Sequence, residues 1–394
     1  MQLIFVQTRQ NRYSITALLG AIESRPFDIL SKIEIKVVPF QEVGSLKPDD
    51  RTVFALSFMT PAASKHIELL RRLKSLNPNV LFVAGGPHPS GRPNELVKLG
   101  FDFVVVGEGE SSFPELLTAI VENELDRPIR GVFSRFYGFG GLRRPIDLNQ
   151  FQPYSLKFRR FMPIEIVRGC PFACKFCQTS FFFGRKPRYR SLENILEAAE
   201  VMIKHGLRDF RFIAPNALSW GSEDGLKPNF EALEMLLSEL RRLIGKERRI
   251  FFGTFPSEIR PEFVSDRTME LLSRFVDNRS IVIGAQTGSE RLMKAIGRRH
   301  TVEDVLKAVR TANRWGFRVD VDFIFGLPGE TEDDVKLTVE FMRKLLEYNI
   351  RIHTHVFMPL VGTPFSGKPH GRVHELYRRF LSPLVGKGKV FGKW

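Results

Sequence analysis

Arg168-Gly169-Cys170-Pro171-Phe172-Ala173-Cys174-Lys175-Phe176-Cys177 gathers every cysteine of a 394-residue chain into eight positions. Core cysteines scattered by chance fall this close together on the order of one time in a thousand, so three thiols at C-x3-C-x2-C face one small object. Soft thiolates select iron clusters and zinc. A structural zinc ion wants four ligands, and the next histidine after Cys177 is His205, outside the usual local spacing. A 4Fe-4S cluster on three cysteines keeps one iron without a protein thiolate, which is an open coordination position. Zinc, a disulfide and inert thiols stand as the alternatives.

Outward from the loop, the sequence alternates short apolar runs with amphipathic stretches, the pattern of an α/β protein. After the cysteine loop come helices near 192–205, 230–244, 268–276, 302–315 and 332–348. Strands fall near 163–167, 210–214, 250–255, 280–284, 318–325 and 351–357, making six β/α units. Active residues in barrels of such units sit at strand C-termini. Before the loop, residues 1–130 read as an open parallel sheet, Rossmann-like, with strands near 2–7, 33–39, 53–58, 80–84 and 101–106 and a clear helix at 64–76. Ligands of such sheets bind at the carboxyl ends of the strands, which here carry Ser57, Gly85, Gly86 and Gly107. Residues 131–160 are rich in turn formers and read as a linker, leaving 161–365 as the core and 366–394 as a basic extension.

Cys170, Cys174 and Cys177, with Phe176 before the last cysteine and Arg168-Gly169 before the first, resemble the signature loop of the radical S-adenosylmethionine (SAM) enzymes. The resemblance implies a partial (β/α)6 barrel and a 4Fe-4S cluster whose open iron binds S-adenosyl-L-methionine. One electron from the cluster then cleaves it to methionine and a 5'-deoxyadenosyl radical. It places Phe176 beside the cofactor. It also implies cofactor contacts at Gln286 and Ser289 after the fourth strand, although Ser289 reads equally well as a helix cap. Gly326, in Gly326-Leu327-Pro328-Gly329 after the fifth strand, is similar to the family's adenine-binding turn. Pro215 stands where many members carry a Gly-Gly-Glu-like turn. Arg291 and Arg298 have carboxylate-recognition chemistry available, but a solvated helix face would place them as well. His353 and His355 alternate on the sixth strand and share one side, either facing inward to move a proton or facing a helix layer.

Ala84-Gly85-Gly86-Pro87-His88-Pro89, followed by Asp102-Phe103-Val104-Val105-Val106-Gly107-Glu108-Gly109-Glu110, resembles the cobalamin-binding-type domain that precedes many radical SAM cores. The Asp-x-His-x-x-Gly motif of histidine-ligating cobalamin domains does not occur. Cobalamin held without a protein histidine and a domain that has lost its cofactor are the two readings. His88, between two prolines, reads as a shaped loop residue.

A composition of 43% hydrophobic and 26% charged residues is that of a globular chain, and nothing approaches the roughly 20 apolar residues of a membrane span. No early apolar stretch resembles a signal peptide, and the expected location is cytoplasmic. The net charge of +15 attracts anions and leaves nucleic acid open as a partner, but no RNA-binding module is present. The resemblance implies an external low-potential electron donor of flavodoxin or ferredoxin type. It also implies methylation of an unactivated carbon as one outcome, with a cyclase or rearrangement enzyme carrying a cofactor-free first domain as the alternative. A methylthiotransferase would need cysteines for a second cluster, and all three are committed. From a different class, a non-catalytic iron-sulfur protein that binds nucleic acid or acts as a sensor also accommodates the loop. The substrate is not legible.

Overall fold

The computed structural model describes residues 1–24 and 29–394, and they form two compact units, Met1–Met162 and Pro163–Trp394.

In the first unit, β1 (Gln2–Gln7), β2 (Glu34–Pro39), β3 (Thr52–Ser57), β4 (Leu81–Gly85) and β5 (Phe103–Val105) are parallel in the order β2-β1-β3-β4-β5. Both faces of the sheet are covered, so the strands are continuous apolar runs. Leu3, Phe5, Val53, Ala55 and Val83 pack on one face with Leu19 of α1 (Arg12–Glu23) and Phe113, Leu116 and Leu117 of α3 (Gly109–Val121). Ile4, Val6, Phe54, Leu56, Phe82 and Ala84 pack on the other with Leu69, Leu70 and Leu73 of α2 (Ala63–Leu76). The last strand is shorter than its apolar run because Asp102 turns inward. Fully buried, its carboxylate accepts the Phe82 N–H at 2.7 Å and pairs with Lys74 at 3.2 Å and Arg135 at 2.9 Å.

Residues 131–160 are not a linker. Val132–Ser134 and Gly138–Phe139 extend the sheet as antiparallel β6 and β7, while Ile146, Leu148 and Phe151 bury against Ala21 of α1. The apolar residues among the glycines supply the core that the turn-rich composition masks.

In the second unit, β8 (Ile164–Glu165), β9 (Asp209–Ile213) and β10 (Arg249–Phe251) form one parallel sheet. β11 (Ser280–Gln286), β12 (Arg318–Phe325) and β13 (Ile350–Val356) form another. A parallel bridge between Ile259 and Ile283 joins the third strand's extension to the fourth strand. Helices α4 (Leu192–Lys204), α5 (Phe230–Ile244), α6 (Asp266–Phe275), α7 (Glu290–Ala295), α8 (Val302–Arg314) and α9 (Glu332–Leu345) lie between the strands in sequence. Helix α6 begins two residues ahead of the expected start because Ser265 and Thr268 close a capping box.

The residues expected to be a basic extension add α10 (Glu375–Val385) and a seventh parallel strand, β14 (Val390–Gly392), paired with β13. Tyr377 of α10, 1% exposed, stacks on Phe325 at 4.1 Å. Apolar side chains between the lysines therefore dock this segment on the barrel.

Period-two alternation fixes which side chains face inward. On β12, Val319, Val321, Phe323 and Phe325 are buried, and Phe323 meets Phe341 of α9, so this set faces the helices. Asp320, Asp322 and Ile324 then face the concave side. On β13, buried Ile350, Ile352 and Thr354 leave Arg351, His353 and His355 on that same side.

Candidate active site

The cysteine loop leaves β8 through Val167–Arg168, which pairs antiparallel with Arg188–Tyr189. Gly169 at φ 89 makes the turn, and any Cβ there would lie 2.8 Å from the Lys186 carbonyl oxygen. Ala173 adopts φ 54, sparsely populated for alanine, and its N–H donates to Ser180 Oγ, which itself donates to the Cys170 carbonyl at 2.7 Å. Lys175 N–H donates to the Ile296 carbonyl, while Gln178 Nε2 donates to the Val361 carbonyl at 2.7 Å. Phe176 packs against Leu292, Ile296, Leu327, Phe357 and Phe365, tying the loop to the ends of the fourth, fifth and sixth strands.

The three thiols are free, with Cys174 buried and the other two partly so. Burial pushes both Cys170 and Cys177 upward, with the neighbouring cysteines adding to it. Cationic groups must therefore compensate a set of thiolates here. Arg298, buried, donates from Nη1 to Cys174 Sγ at 3.6 Å and from Nη2 to the Gly284 carbonyl at 2.5 Å. Its Nε is buried without a partner among the described residues. Burial alone would lower its pKa, but Cys174 and Glu258 hold it above its ordinary value. Gly284 is part of the same device, because a Cβ there would stand 2.9 Å from Arg298 Nη2.

A second buried arginine, Arg260, lies 3.4 Å over the ring of Phe172 within the cysteine loop. Its Nε donates to Glu262 Oε1 at 2.6 Å, and His300 stands 3.4 Å from both Arg260 and Glu262. Burial lowers His300 to about 4. Burial opposes ionisation of Glu262, yet His300 and Arg260 bring it down to about 2. Burial pushes Glu258 up, against the pull of Arg298. The donor set fits a sulfur-ligated cluster: three thiols on one loop, a guanidinium aimed at one sulfur, and an orphan N–H beside it. Among the described residues, the cysteines are not a group whose ligand atoms all lie within 4.8 Å of one another, as a single tetrahedral ion would require.

The expected cofactor contacts divide. Gln286 ends β11 at a register shift, buried and at φ 74, a conformation a non-glycine residue holds only when its surroundings impose it. Pro215 precedes Asn216, whose Oδ1 accepts the Arg260 N–H and whose buried Nδ2 has no partner among the described residues. That orphan donor suits a cofactor's polar atoms.

Of its two readings, Ser289 shows the cap. Its hydroxyl caps α7 by accepting from Leu292 N–H and donates to Asp334 Oδ1 at 2.5 Å, and the residue is fully buried. At φ 70, Gly326 makes room for the chain's own residues, since a Cβ would lie 2.5 Å from Arg372 N and 2.7 Å from Gly371 Cα. Arg291, half exposed, pairs with Asp334 and donates to the Gly329 carbonyl at 2.7 Å.

In the first unit, Ser57, Gly85, Gly86 and Gly107 lie at the carboxyl edge of the sheet. The order β2-β1-β3 places a topological switch point between β1 and β3, where such sheets bind ligands. Ser57 Oγ meets Ser14 Oγ at 3.0 Å, and its carbonyl accepts from Asn11 Nδ2. Gly86, at φ 91, would drive a Cβ to 2.9 Å from Ser57 Oγ. A Cβ on Gly107, at φ 77, would meet nothing within 4 Å, and one on Gly85 only Val105 at 3.9 Å. This bare backbone edge is a cradle that suits a large planar cofactor. His88 lies in a one-turn helix, Pro87–Gly91, and not in a loop; its Nδ1 is 3.3 Å from Thr60 Oγ1 and its ring lies against Phe58.

Arg260 and Glu258 carry no signal in the sequence, and Arg298 reads there as a carboxylate binder or part of a solvated helix face; only tertiary burial reveals the three. The His353/His355 alternation did signal its place: both rings face the concave side beside Asp322, with His353 Nδ1 at 2.8 Å from Asp322 Oδ1.

This fold, with three loop cysteines at the first strand's end and a doubly covered parallel sheet ahead of it, is that of a radical SAM enzyme with a B12-binding domain. Residues 164–342 match the radical SAM superfamily model, and residues 40–117 match the B12 binding domain model. The chain thus carries a radical SAM domain, which implies a 4Fe-4S cluster, S-adenosyl-L-methionine and an external electron donor, and a B12-binding domain, which implies cobalamin. It is 28% identical over 412 residues to an uncharacterized protein of Methanocaldococcus jannaschii, covering 92% of this chain and 80% of that one. It is 25% identical over 356 residues to an uncharacterized methyltransferase of Pyrococcus horikoshii, covering 85% and 71%. In fold it is similar to the radical S-adenosylmethionine methyltransferase TsrM of Kitasatospora setae, solved with cobalamin and a [4Fe-4S] cluster bound. That likeness has a TM-score of 0.68 at 17% identity, over 92% of this chain and 73% of that one. No helix among the described residues is long and apolar enough to cross a membrane.

Proposed function

We propose that this enzyme methylates a carbon atom of its substrate. The observation that carries the reading is the pairing in one chain of a B12-binding domain with a radical SAM domain whose cysteines are all committed to one loop. The methyltransferases among its relatives and structural neighbours support it. When bound, the cluster supplies one electron at a time, S-adenosylmethionine the adenosyl and methyl groups, and cobalamin the methyl carrier.

Cys170, Cys174 and Cys177 hold the cluster, and Arg298 neutralises the Cys174 sulfur from the barrel side. Asn216, beside Pro215, offers Nδ2 to the amino acid part of S-adenosylmethionine, Gln286 offers its amide to the ribose side, and Phe176 backs the loop. Ser57, Gly85, Gly86 and Gly107 would border cobalamin at the sheet's carboxyl edge. A flavodoxin- or ferredoxin-type protein delivers the electrons. Tritium- or deuterium-labelled methionine tests the reading in the producing strain. A metabolite heavier by a trideuteromethyl group in the parent and absent from a deletion strain is expected. A deletion that removes a cyclised or rearranged metabolite without any labelled methyl would overturn it.

A further inference from the structure

We propose that Asp322, His353 and His355 form a mononuclear divalent-metal site on the concave face of the second unit, apart from the cysteine loop. The placement follows from strand register. Asp322 of β12 pairs with His353 of β13, and His355 follows two residues on, so all three project to the same side. Their donor atoms all lie within 4.8 Å of one another. His353 Nδ1 is 2.8 Å from Asp322 Oδ1, while His355 Nε2 is 3.9 Å from Oδ2.

The second distance separates a metal site from a simple histidine–aspartate hydrogen bond. At 3.9 Å, His355 adds nothing to that bond. Donors bound about 2.1 Å from one shared ion stand about 3 Å apart or more, a spacing a small rotation of His355 provides. Two imidazoles and one carboxylate carry a net charge of −1 when the rings are neutral, which suits a divalent ion. That ligand set leaves positions open, unlike a closed structural site. Packing holds both rings in place. Phe391 of β14 stacks on His353 at 4.3 Å and 8°, and His355 meets His353 edge-on at 4.2 Å.

The open positions face the side where Gly284, the register partner of Asp322, accepts the hydrogen bond of Arg298. A substrate oxygen or nitrogen donor bound to the ion would thus sit on the face that also carries Arg298 and the Cys174 sulfur. The charged neighbours do not compete for the triad, because Arg351 is paired with Asp320 at 2.8 Å and Arg298 with Gly284 and Cys174.

The site is tested on untagged, cluster-loaded protein, in which the cysteines are occupied, by anaerobic equilibrium dialysis against zinc(II) with elemental analysis. One zinc per chain is expected beyond the cluster iron. His355→Ala and Asp322→Asn should each weaken it by about a hundredfold or more while iron content and the cluster's visible absorption stay as in wild type. X-ray absorption at the zinc edge should show imidazole and oxygen neighbours. Wild type without saturable zinc at micromolar concentration, H355A binding as tightly as wild type, or sulfur neighbours at the zinc would overturn the proposal. The readout is metal content and does not depend on turnover, so it stands apart from the methyl-transfer reading.

Discussion

Removing the guanidinium of Arg298 should make the cluster harder to reduce. Arg298 Nη1 lies 3.6 Å from Cys174 Sγ, and both residues are buried. A full charge at that separation in an effective dielectric of about 20 interacts by about 4.6 kcal/mol. Reduction adds one electron spread over the whole cluster, so a quarter to a half of that figure, about 1–2 kcal/mol, bears on the couple. At 59 mV per 1.4 kcal/mol for one electron, Arg298→Met shifts the midpoint by about 50–100 mV to more negative potential. Arg298→Lys, keeping a positive charge, should recover most of the difference. Glu258, which burial already pushes toward its protonated form, takes up a proton when Arg298 is lost, so R298M with E258Q should match R298M alone. The assay is an anaerobic redox titration followed by electron paramagnetic resonance, with iron content confirming that each variant carries the cluster. A midpoint unchanged or more positive in an iron-loaded R298M protein would refute the electrostatic reasoning.

Glu330 links the turn after the fifth strand to α10: Oε2 accepts from Gly326 N–H at 2.9 Å and Oε1 from Tyr377 O–H at 3.0 Å, and burial raises its pKa to about 7. A carboxyl raised in the folded state stabilises the protein below its unfolded pKa of 4.5 and loses that contribution as pH rises through about 7. Wild type should therefore lose up to about 3 kcal/mol relative to Glu330→Gln between pH 4.5 and 8, read by denaturant titration. Gly326→Ala, forced against Arg372 at φ 70, should destabilise by at least about 1–2 kcal/mol and loosen the C-terminal segment toward proteolysis. Ser289→Ala should cost about 1–2 kcal/mol through the lost cap of α7 and leave the KM for S-adenosylmethionine unchanged, whereas a cofactor contact would raise it.

The cysteine loop and the alternating apolar runs made both halves of the fold legible, because spacing and periodicity are local properties of the chain. What the sequence left open turned on distant partners. Ser289 reads as cap or cofactor contact until Asp334, 45 positions on, claims its hydroxyl. Gly326 signals close approach, but not that the approaching chain is Gly371-Arg372. Arg298 sits in Arg298-Arg299-His300, which looks like surface charge, and only the fold carries its side chain to Cys174. The lysine-rich end hid Tyr377, Leu381 and Val390, the buried residues that dock it.

The central claim is most directly tested by anaerobic reconstitution of the wild-type protein and of Cys174→Ala, each incubated with dithionite, S-adenosylmethionine and cobalamin and assayed by chromatography for 5'-deoxyadenosine. Wild type forming 5'-deoxyadenosine while binding cobalamin, with C174A forming none, is the predicted result. Cluster-loaded wild type that forms no 5'-deoxyadenosine, or C174A that forms as much as wild type, would contradict the account.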